Sequence, residues 1–381
     1  MLEQHTPRLT PSTLRTSMTS PPPNTSPLSD TEWDANELET LGHCPICQSA
    51  ARTVLYDNLT DTLFRCAPGR WTLHACNGCG TAYLDPRPSA TSIGKAYANY
   101  YTHSEPAQPT SAKDGADWRS ALRTFARANL NSYRNARWQM ALTPSNTWGR
   151  YAVPWILPVR SLIEQQMRHM PSQPEGRPGR LLDVGCGNGA FLQMAQAAGW
   201  SVQGLDFDPI AVAEARRQGL AVDLGGIDQL ADLAQTYDWI TCSHVLEHVH
   251  DPQQLLHSIR RLLRPGGTLW LQTPNIDSLG HRTYGPHWRG LEPPRHLTLL
   301  TLPALRSALE KARFKTHFCR MPLFTVMSVH AASNAMRRGD KNPMALSHAQ
   351  ILRLRFLRLA LQQHWRLGRA EFHTVIATRS S

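Results

Sequence analysis

The chain has 381 residues, 41% of them hydrophobic and 18% charged, and 40 Lys and Arg against 29 Asp and Glu leave a net charge of +11. This composition excludes a fibrous, collagenous or wholly disordered protein, and the length predicts two to three domains of about 150 residues. No apolar run reaches the ~18 residues of a membrane span, while the basic balance admits acidic partners such as nucleic acid, phosphorylated sugars or an anionic membrane surface.

Residues 1–38 read as a disordered tail. The first 30 residues hold 17 Ser, Thr or Pro, leaving too few large apolar side chains to offset the entropy of ordering. They lack the apolar core of a secretory signal, so a cytoplasmic, reducing location is expected. Residues 39–90 form a small module with two cysteine pairs, Cys44-Pro-Ile-Cys47 and Cys76-Asn-Gly-Cys79, separated by 28 residues. Two thiolate pairs on tight turns build a closed tetrahedral sulfur cage for a structural zinc ion. Cys66 and His74 are spare candidates that read better as packed side chains. Residues 91–178 form a helical middle segment, with patterns over 118–142 and 155–170 and a Pro- and Gly-rich linker over 171–179.

From residue 179 to 381, apolar strands alternate with helices, which predicts a largely parallel sheet covered on both faces. Arg180-Leu-Leu-Asp183-Val-Gly185-Cys-Gly187-Asn-Gly189 runs from a strand through a glycine turn into a helix, an arrangement that lets backbone approach a nucleotide cofactor. Asp206 closes the second strand about 20 residues later and suits a ribose diol. These features alone fit a dinucleotide as well. His244-x-x-Glu247-His248 follows the fourth strand, at the edge where ligands of open sheets bind. Asp251 and Pro252 then start a helix as N-cap and first residue. A sixth strand is expected over 314–321 and a last one over 372–378. Between them lies a helical insertion at about 322–370, including an amphipathic basic helix over 347–367 whose apolar face carries Ile351, Leu354, Leu357 and Leu361.

The glycine turn, Asp206, Tyr237-Asp-Trp-Ile-Thr-Cys-Ser-His-Val-Leu-Glu-His-Val and Leu262-Leu-Arg-Pro-Gly-Gly-Thr-Leu-Trp-Leu-Gln-Thr-Pro-Asn together decide against a dinucleotide. With them, residues 180–380 resemble a class I S-adenosylmethionine-dependent methyltransferase. The resemblance implies a Rossmann-like α/β sheet, mostly parallel with its last strand antiparallel. Gly285-Pro-His-Trp-Arg-Gly-Leu-Glu-Pro-Pro-Arg-His-Leu is similar to the branch that holds ubiquinone-biosynthesis O-methyltransferases and bacterial surface-glycan enzymes. The cysteine pairs followed by Asp85-Pro-Arg-Pro and Tyr97-x-x-x-Tyr101 look like the N-terminal module of zinc-carrying methyltransferases acting on sugars.

What the resemblance implies is methyl transfer to a hydroxyl, or a sugar carbon, of a small molecule or glycan precursor. The candidate cofactor set is Asp183, Gly185, Gly187, Gly189 and Asp206, with Asp228 and Ser243. In that branch and in small-RNA methyltransferases, a Glu-x-x-Glu-His completed by a later His holds a divalent metal. Here His244 replaces the first Glu, and His296 is the candidate later His. Three readings stand: a second divalent ion at His244, Glu247, His248 and His296; a metal-free site with His248 or His296 as general base near the ordinary imidazole pKa of about 6.5; or histidines that only tie the loops together. Tyr284, His287 and Trp288 are candidates for the acceptor pocket. The alternative acceptor is rRNA or tRNA, bound through the zinc module and basic surface, although Cys242-Ser-His-Val lacks the Asn/Asp-Pro-Pro-Tyr/Phe motif of exocyclic-amine methylation.

Overall fold

The computed structural model describes residues 32–97, 118–174 and 177–380. In its N-terminal part, β2 (Arg52–Leu59), β3 (Trp71–Cys76) and β4 (Ala82–Leu84) form an antiparallel meander, and β1 (Leu38–Glu39) pairs with β5 (Arg87–Pro88). Among the described residues, α1 (Trp118–Trp138), α2 (Gly149–Ala152) and α3 (Leu157–Gln166) follow. The remainder alternates as β6 (Arg180–Val184), α4 (Ala190–Ala197), β7 (Ser201–Asp206), α5 (Pro209–Arg217), β8 (Val222–Leu224), β9 (Tyr237–Ser243), α6 (Pro252–Leu262) and β10 (Leu263–Pro274). After it come α7 (Leu279–Tyr284), β11 (Thr298–Leu299), α8 (Leu302–Lys311), β12 (Phe314–Cys319), α9 (Leu323–Arg337), α10 (His348–Ile351), α11 (Leu354–His364) and β13 (Phe372–Arg379).

Seven strands make the main sheet in the order β12-β13-β10-β9-β6-β7-β8. The β6, β7, β8, β9 and β10 pairings are parallel, and β13 runs antiparallel to both its neighbours. This is the Rossmann-like methyltransferase sheet expected from the sequence. The central strands read as near-continuous apolar runs because helices cover both faces. On one face α6 and α8 pack over Ile240, Leu269 and Leu271, and on the other α4, α5 and the middle helices pack over Leu181, Trp239 and Trp270. The start of α6 is as expected: the Asp251 carboxylate accepts from the amides of Gln253 (3.0 Å) and Gln254 (2.9 Å), with Pro252 at the first position.

The cysteine-bearing meander does not stand apart from this sheet. β11, which lies beyond the fifth strand of the main domain, pairs with β4 and becomes the fourth strand of the meander. Cys44, Ile46, Cys76 and Tyr83 join the same core cluster as α6 and α8. Arg295 forms a fully buried ion pair with Asp61 at 2.7 Å, and its guanidinium also donates to the Ala96 carbonyl at 3.1 Å. Tertiary contact therefore ties residues far apart in sequence into one scaffold around the carboxyl edge of the main sheet.

Two expectations are corrected. Order begins before residue 39, since Trp33 is buried edge-on against Trp71 and Ala35–Glu37 forms a 3-10 turn; the rest of the expected tail, 1–31, lies outside the described residues. The single helix expected over 347–367 is two helices, broken at Leu352 and Arg353, and its inward face is Phe356, Ala360 and Gln363. Leu354 and Leu361 point outward, 62% and 46% exposed. Arg and Leu alternate closely enough here that several helical faces look amphipathic, and packing against α9 selects one of them. No described helix is long and apolar enough to cross a membrane.

Candidate active site

Gly185, Gly187 and Gly189 all adopt left-handed φ, at 72°, 54° and 81°. Replacement is blocked at the first and third for different neighbours: a Cβ at Gly185 would sit 2.4 Å from Val245 Cγ2, and one at Gly189 would sit 2.3 Å from Leu220 Cδ1. Around Gly187 there is open space, so the turn presents bare backbone outward. Asp206 closes β7 beside it, its carboxylate accepting from the Gly187 amide (2.7 Å) and the Asp208 amide (2.9 Å). Burial pushes the Asp206 carboxyl above its ordinary value, while the two amides pull it back. The Gly225 amide donates to the Asp206 carbonyl (2.8 Å), bringing the turn that carries exposed Asp228 beside Asp206. Phe207 and Ile210, which the sequence reading missed, expose 74% and 56% of their surface at this edge.

Asp183 is placed differently from the rest of the candidate cofactor set. It is fully buried, and one oxygen is held by Arg168 and by the Thr241 hydroxyl (2.8 Å). Burial pushes its carboxyl up, against the pull of Arg168. Arg168 itself follows α3, donates to Thr241 (2.9 Å) and lies over the Phe191 ring, 4.0 Å from its centroid. Nothing in the sequence around Arg168 marks it for this role; only the fold brings it to the strand.

At the end of β9, Ser243 leads into His244, whose φ of 55° is unusual for a residue with a Cβ and is a mark of local strain at a site. His244 Nδ1 lies 3.1 Å from Glu247 Oε1 and its Nε2 3.2 Å from Gln272 Oε1. The second Glu247 oxygen accepts from the Thr273 hydroxyl (2.9 Å). Burial acts to raise the Glu247 carboxyl, but the hydrogen bond from His244 and the nearby His248 and His296 rings win, holding it at about 2.

Glu247, His248 and His296 offer ligand atoms that all lie within 4.8 Å of one another. His248 Nδ1 is 3.0 Å from the Arg295 carbonyl, and His296 Nδ1 is 2.7 Å from the Gly290 carbonyl. A carbonyl can only accept, so both Nδ1 atoms carry the proton and both Nε2 lone pairs are left for other work. The Tyr97 hydroxyl, at the end of the 3-10 turn Ile93–Tyr97, comes within 2.9 Å of the same His248 nitrogen. Burial lowers both imidazoles to about 4, in His248 with the added repulsion of His296. The rings are thus held neutral well below the value of about 6.5 expected for an unperturbed base. His244 touches this trio through Glu247 alone. Of the pocket candidates, Trp288 is instead buried and donates to Glu371 (2.7 Å), and Tyr284 is buried, while His287 is partly exposed.

The four cysteines also converge. Cys44 Sγ lies 3.7 Å from Cys79 Sγ and Cys47 Sγ 3.4 Å from Cys76 Sγ, close to the ~3.8 Å edges of a tetrahedron with ~2.3 Å metal–sulfur bonds. Gly80, at φ 73°, turns the chain after the second pair. Cys66 is held instead beside Asp61, and His74 Nε2 sits 3.1 Å from the Asp85 carbonyl, so neither joins the cage. Cys186 and Cys242 are buried packing residues.

The methyltransferase domain family matches residues 160–317. The chain is 35% identical over 130 residues to the ubiquinone biosynthesis O-methyltransferase of Histophilus somni, covering 31% of this chain and 55% of that protein. It is 36% identical over 103 residues to the protein of that name from Salmonella newport, covering 25% and 43%. The chain thus spans about half the length of these curated relatives. Among solved structures it is similar to an S-adenosylmethionine-dependent methyltransferase from Mesorhizobium loti, at 21% identity and TM-score 0.39, covering 60% of this chain and 99% of that one. The glycine turn, Asp206 and the sheet order described above lie within or around the matched region, and residues 160–317 form a class I S-adenosylmethionine-dependent methyltransferase domain.

Proposed function

We propose that this protein moves a methyl group from S-adenosylmethionine to a hydroxyl of a small-molecule or glycan-precursor acceptor. One observation carries the proposal: Glu247, His248 and His296 converge at the carboxyl edge of the sheet with both Nε2 lone pairs available. In-line displacement at a sulfonium needs alignment and a group to take the acceptor proton. Asp206 would bind the ribose diol, and exposed Phe207 and Ile210 would face the adenine. The methionine end carries one ammonium and one carboxylate, and the Arg168–Asp183 pair offers one partner of each charge beside the glycine turn. His248 or His296, neutral at pH 7, would accept the hydroxyl proton, with Glu247 stabilising the imidazolium that forms. The same three groups suit a divalent cation such as Zn²⁺ or Mn²⁺, which when bound would lower the acceptor hydroxyl's pKa. Tyr97 would hold His248 in place, which makes the start of the middle segment, just after the cysteine module, part of the reaction centre.

The four-cysteine cluster is read as a structural zinc site, closed and lacking an open coordination position for chemistry. None of the eight cysteines forms a disulfide, which leaves Cys44, Cys47, Cys76 and Cys79 available as thiolate ligands and accords with a reducing, cytoplasmic location. The RNA acceptor is not favoured: the curated relatives are O-methyltransferases of ubiquinone biosynthesis. The test is labelled methyl transfer against fractionated cell extract. Label in an ether-linked methyl of a polar or lipid small molecule supports the proposal. Label confined to nucleic acid would reject it.

A further inference from the structure

Between Trp118 and Ile163 the chain carries seven arginines and no aspartate or glutamate. The same stretch exposes large apolar side chains to an unusual degree. From 118 to 127, no described residue of α1 is buried, and the first buried one is Ala128. In this projecting half, Trp118, Leu122 and Phe125 recur on one helical face and are 69%, 57% and 62% exposed. Arg123 and Arg127 fall on the opposite side. Gly149 of α2 packs so closely on α1 that a Cβ there would lie 2.1 Å from the Asn129 carbonyl oxygen. That crossing sets Trp148 (74% exposed) and Tyr151 (63%) next to α1, and the turn into α3 adds Trp155 (85%) and Leu157 (67%).

We propose that this helical segment docks the protein on an anionic lipid surface. An amphipathic helix with aromatic and aliphatic residues on one side and arginines on the other lies in the plane of a bilayer interface. Trp and Tyr favour the headgroup level, and arginines gain from acidic headgroups. Other occupants fit less well. A second copy of the chain would bring arginine against arginine across a two-fold interface with no acid to pair them. Nucleic acid would satisfy the arginines and stack on the aromatics but leave Leu122 and Leu157 without a partner. Most of the segment, 118–159, lies outside the matched methyltransferase region, so the proposal stands independently of the acceptor's identity.

The experiment is co-sedimentation of the full chain with extruded vesicles of phosphatidylglycerol and phosphatidylcholine, or of phosphatidylcholine alone, in about 0.15 M salt. Binding to the acidic vesicles, weakened by added salt and by about tenfold or more in the double variants Trp148→Ser/Trp155→Ser and Arg123→Glu/Arg127→Glu, supports the proposal. All four side chains are well exposed, and circular dichroism together with S-adenosylmethionine affinity checks that each variant folds. Four results would overturn the proposal: failure to bind acidic vesicles; equal binding to neutral ones; full binding by both folded variants; or tighter capture by a single-stranded oligonucleotide that displaces the protein from lipid.

Discussion

Removing the Asp61 carboxylate is a sharp test of how the N-terminal module is joined to the methyltransferase domain. Asp61 accepts from Arg295 at 2.7 and 3.0 Å and from the amides of Phe64, Cys66 and Ala67 at 3.0–3.1 Å, with its side chain 1% and that of Arg295 0% exposed. In Asp61→Ala the buried guanidinium loses its closest counter-charge and keeps only the more distant Glu292 at 3.9 Å, and breaking a buried pair in this way costs about 3–5 kcal/mol. Asp61→Asn retains the shape and some of the hydrogen bonds and should cost less. Arg295→Met in the Asp61→Asn background should recover part of the loss, because it removes the stranded charge. The pH dependence has a definite sign. Burial opposes ionisation of Asp61, but Arg295 and the amides hold its carboxyl below the ordinary value, so its contribution is present above the unfolded pKa of 3.8 and fades as pH falls through the folded one. Urea unfolding followed by intrinsic tryptophan fluorescence measures the loss. A loss under ~1 kcal/mol in Asp61→Ala would show that the pair contributes no more than a surface ion pair and does not join the two parts.

Elemental analysis of chelator-washed protein should find one tightly bound zinc per chain, and Cys76→Ser should lose it together with the fold of the module; zinc near one per chain in that variant would contradict the assignment. Asp206→Ala should weaken S-adenosylmethionine binding by about 1–3 kcal/mol in calorimetry, with NAD binding poorly to either protein. Burial pushes the Glu371 carboxyl from 4.5 up to about 7, against donors from Trp288 and Gly280. The folded state therefore holds that proton longer, and stability should fall by about 3 kcal/mol as pH rises from 4.5 to 7. Glu371→Gln should flatten that slope in thermal melts, and an unchanged slope would assign it to other groups.

Legibility in the sequence followed locality. Asp183, the three glycines, Asp206 and the Asp251–Pro252 helix start are short-range signals, because strand, turn and cap chemistry act over a few residues. Cys44, Cys47, Cys76 and Cys79 were legible because ligand spacing on two turns is itself the signal. What stayed hidden depended on the assembled chain. Tyr97 meets His248 across 151 positions and Arg295 meets Asp61 across 234, distances over which no pattern survives. The Arg168–Asp183 pair likewise exists only because α3 ends against β6, which turned a residue expected to face the cofactor into one already held by a cation. The depressed imidazoles of His248 and His296 come chiefly from burial, with the His296 ring adding repulsion at His248, which composition cannot supply.

The most direct measurement is turnover of labelled S-adenosylmethionine on the acceptor fraction that takes label, comparing wild type with His296→Ala and Glu247→Gln and measuring cofactor affinity on the same samples. Transfer should fall by about 10²-fold or more in each variant, the usual worth of a positioned acid–base group, with cofactor affinity unchanged. Near-normal transfer in both variants would contradict that role, and would reduce Glu247, His248 and His296 to residues that hold two loops together.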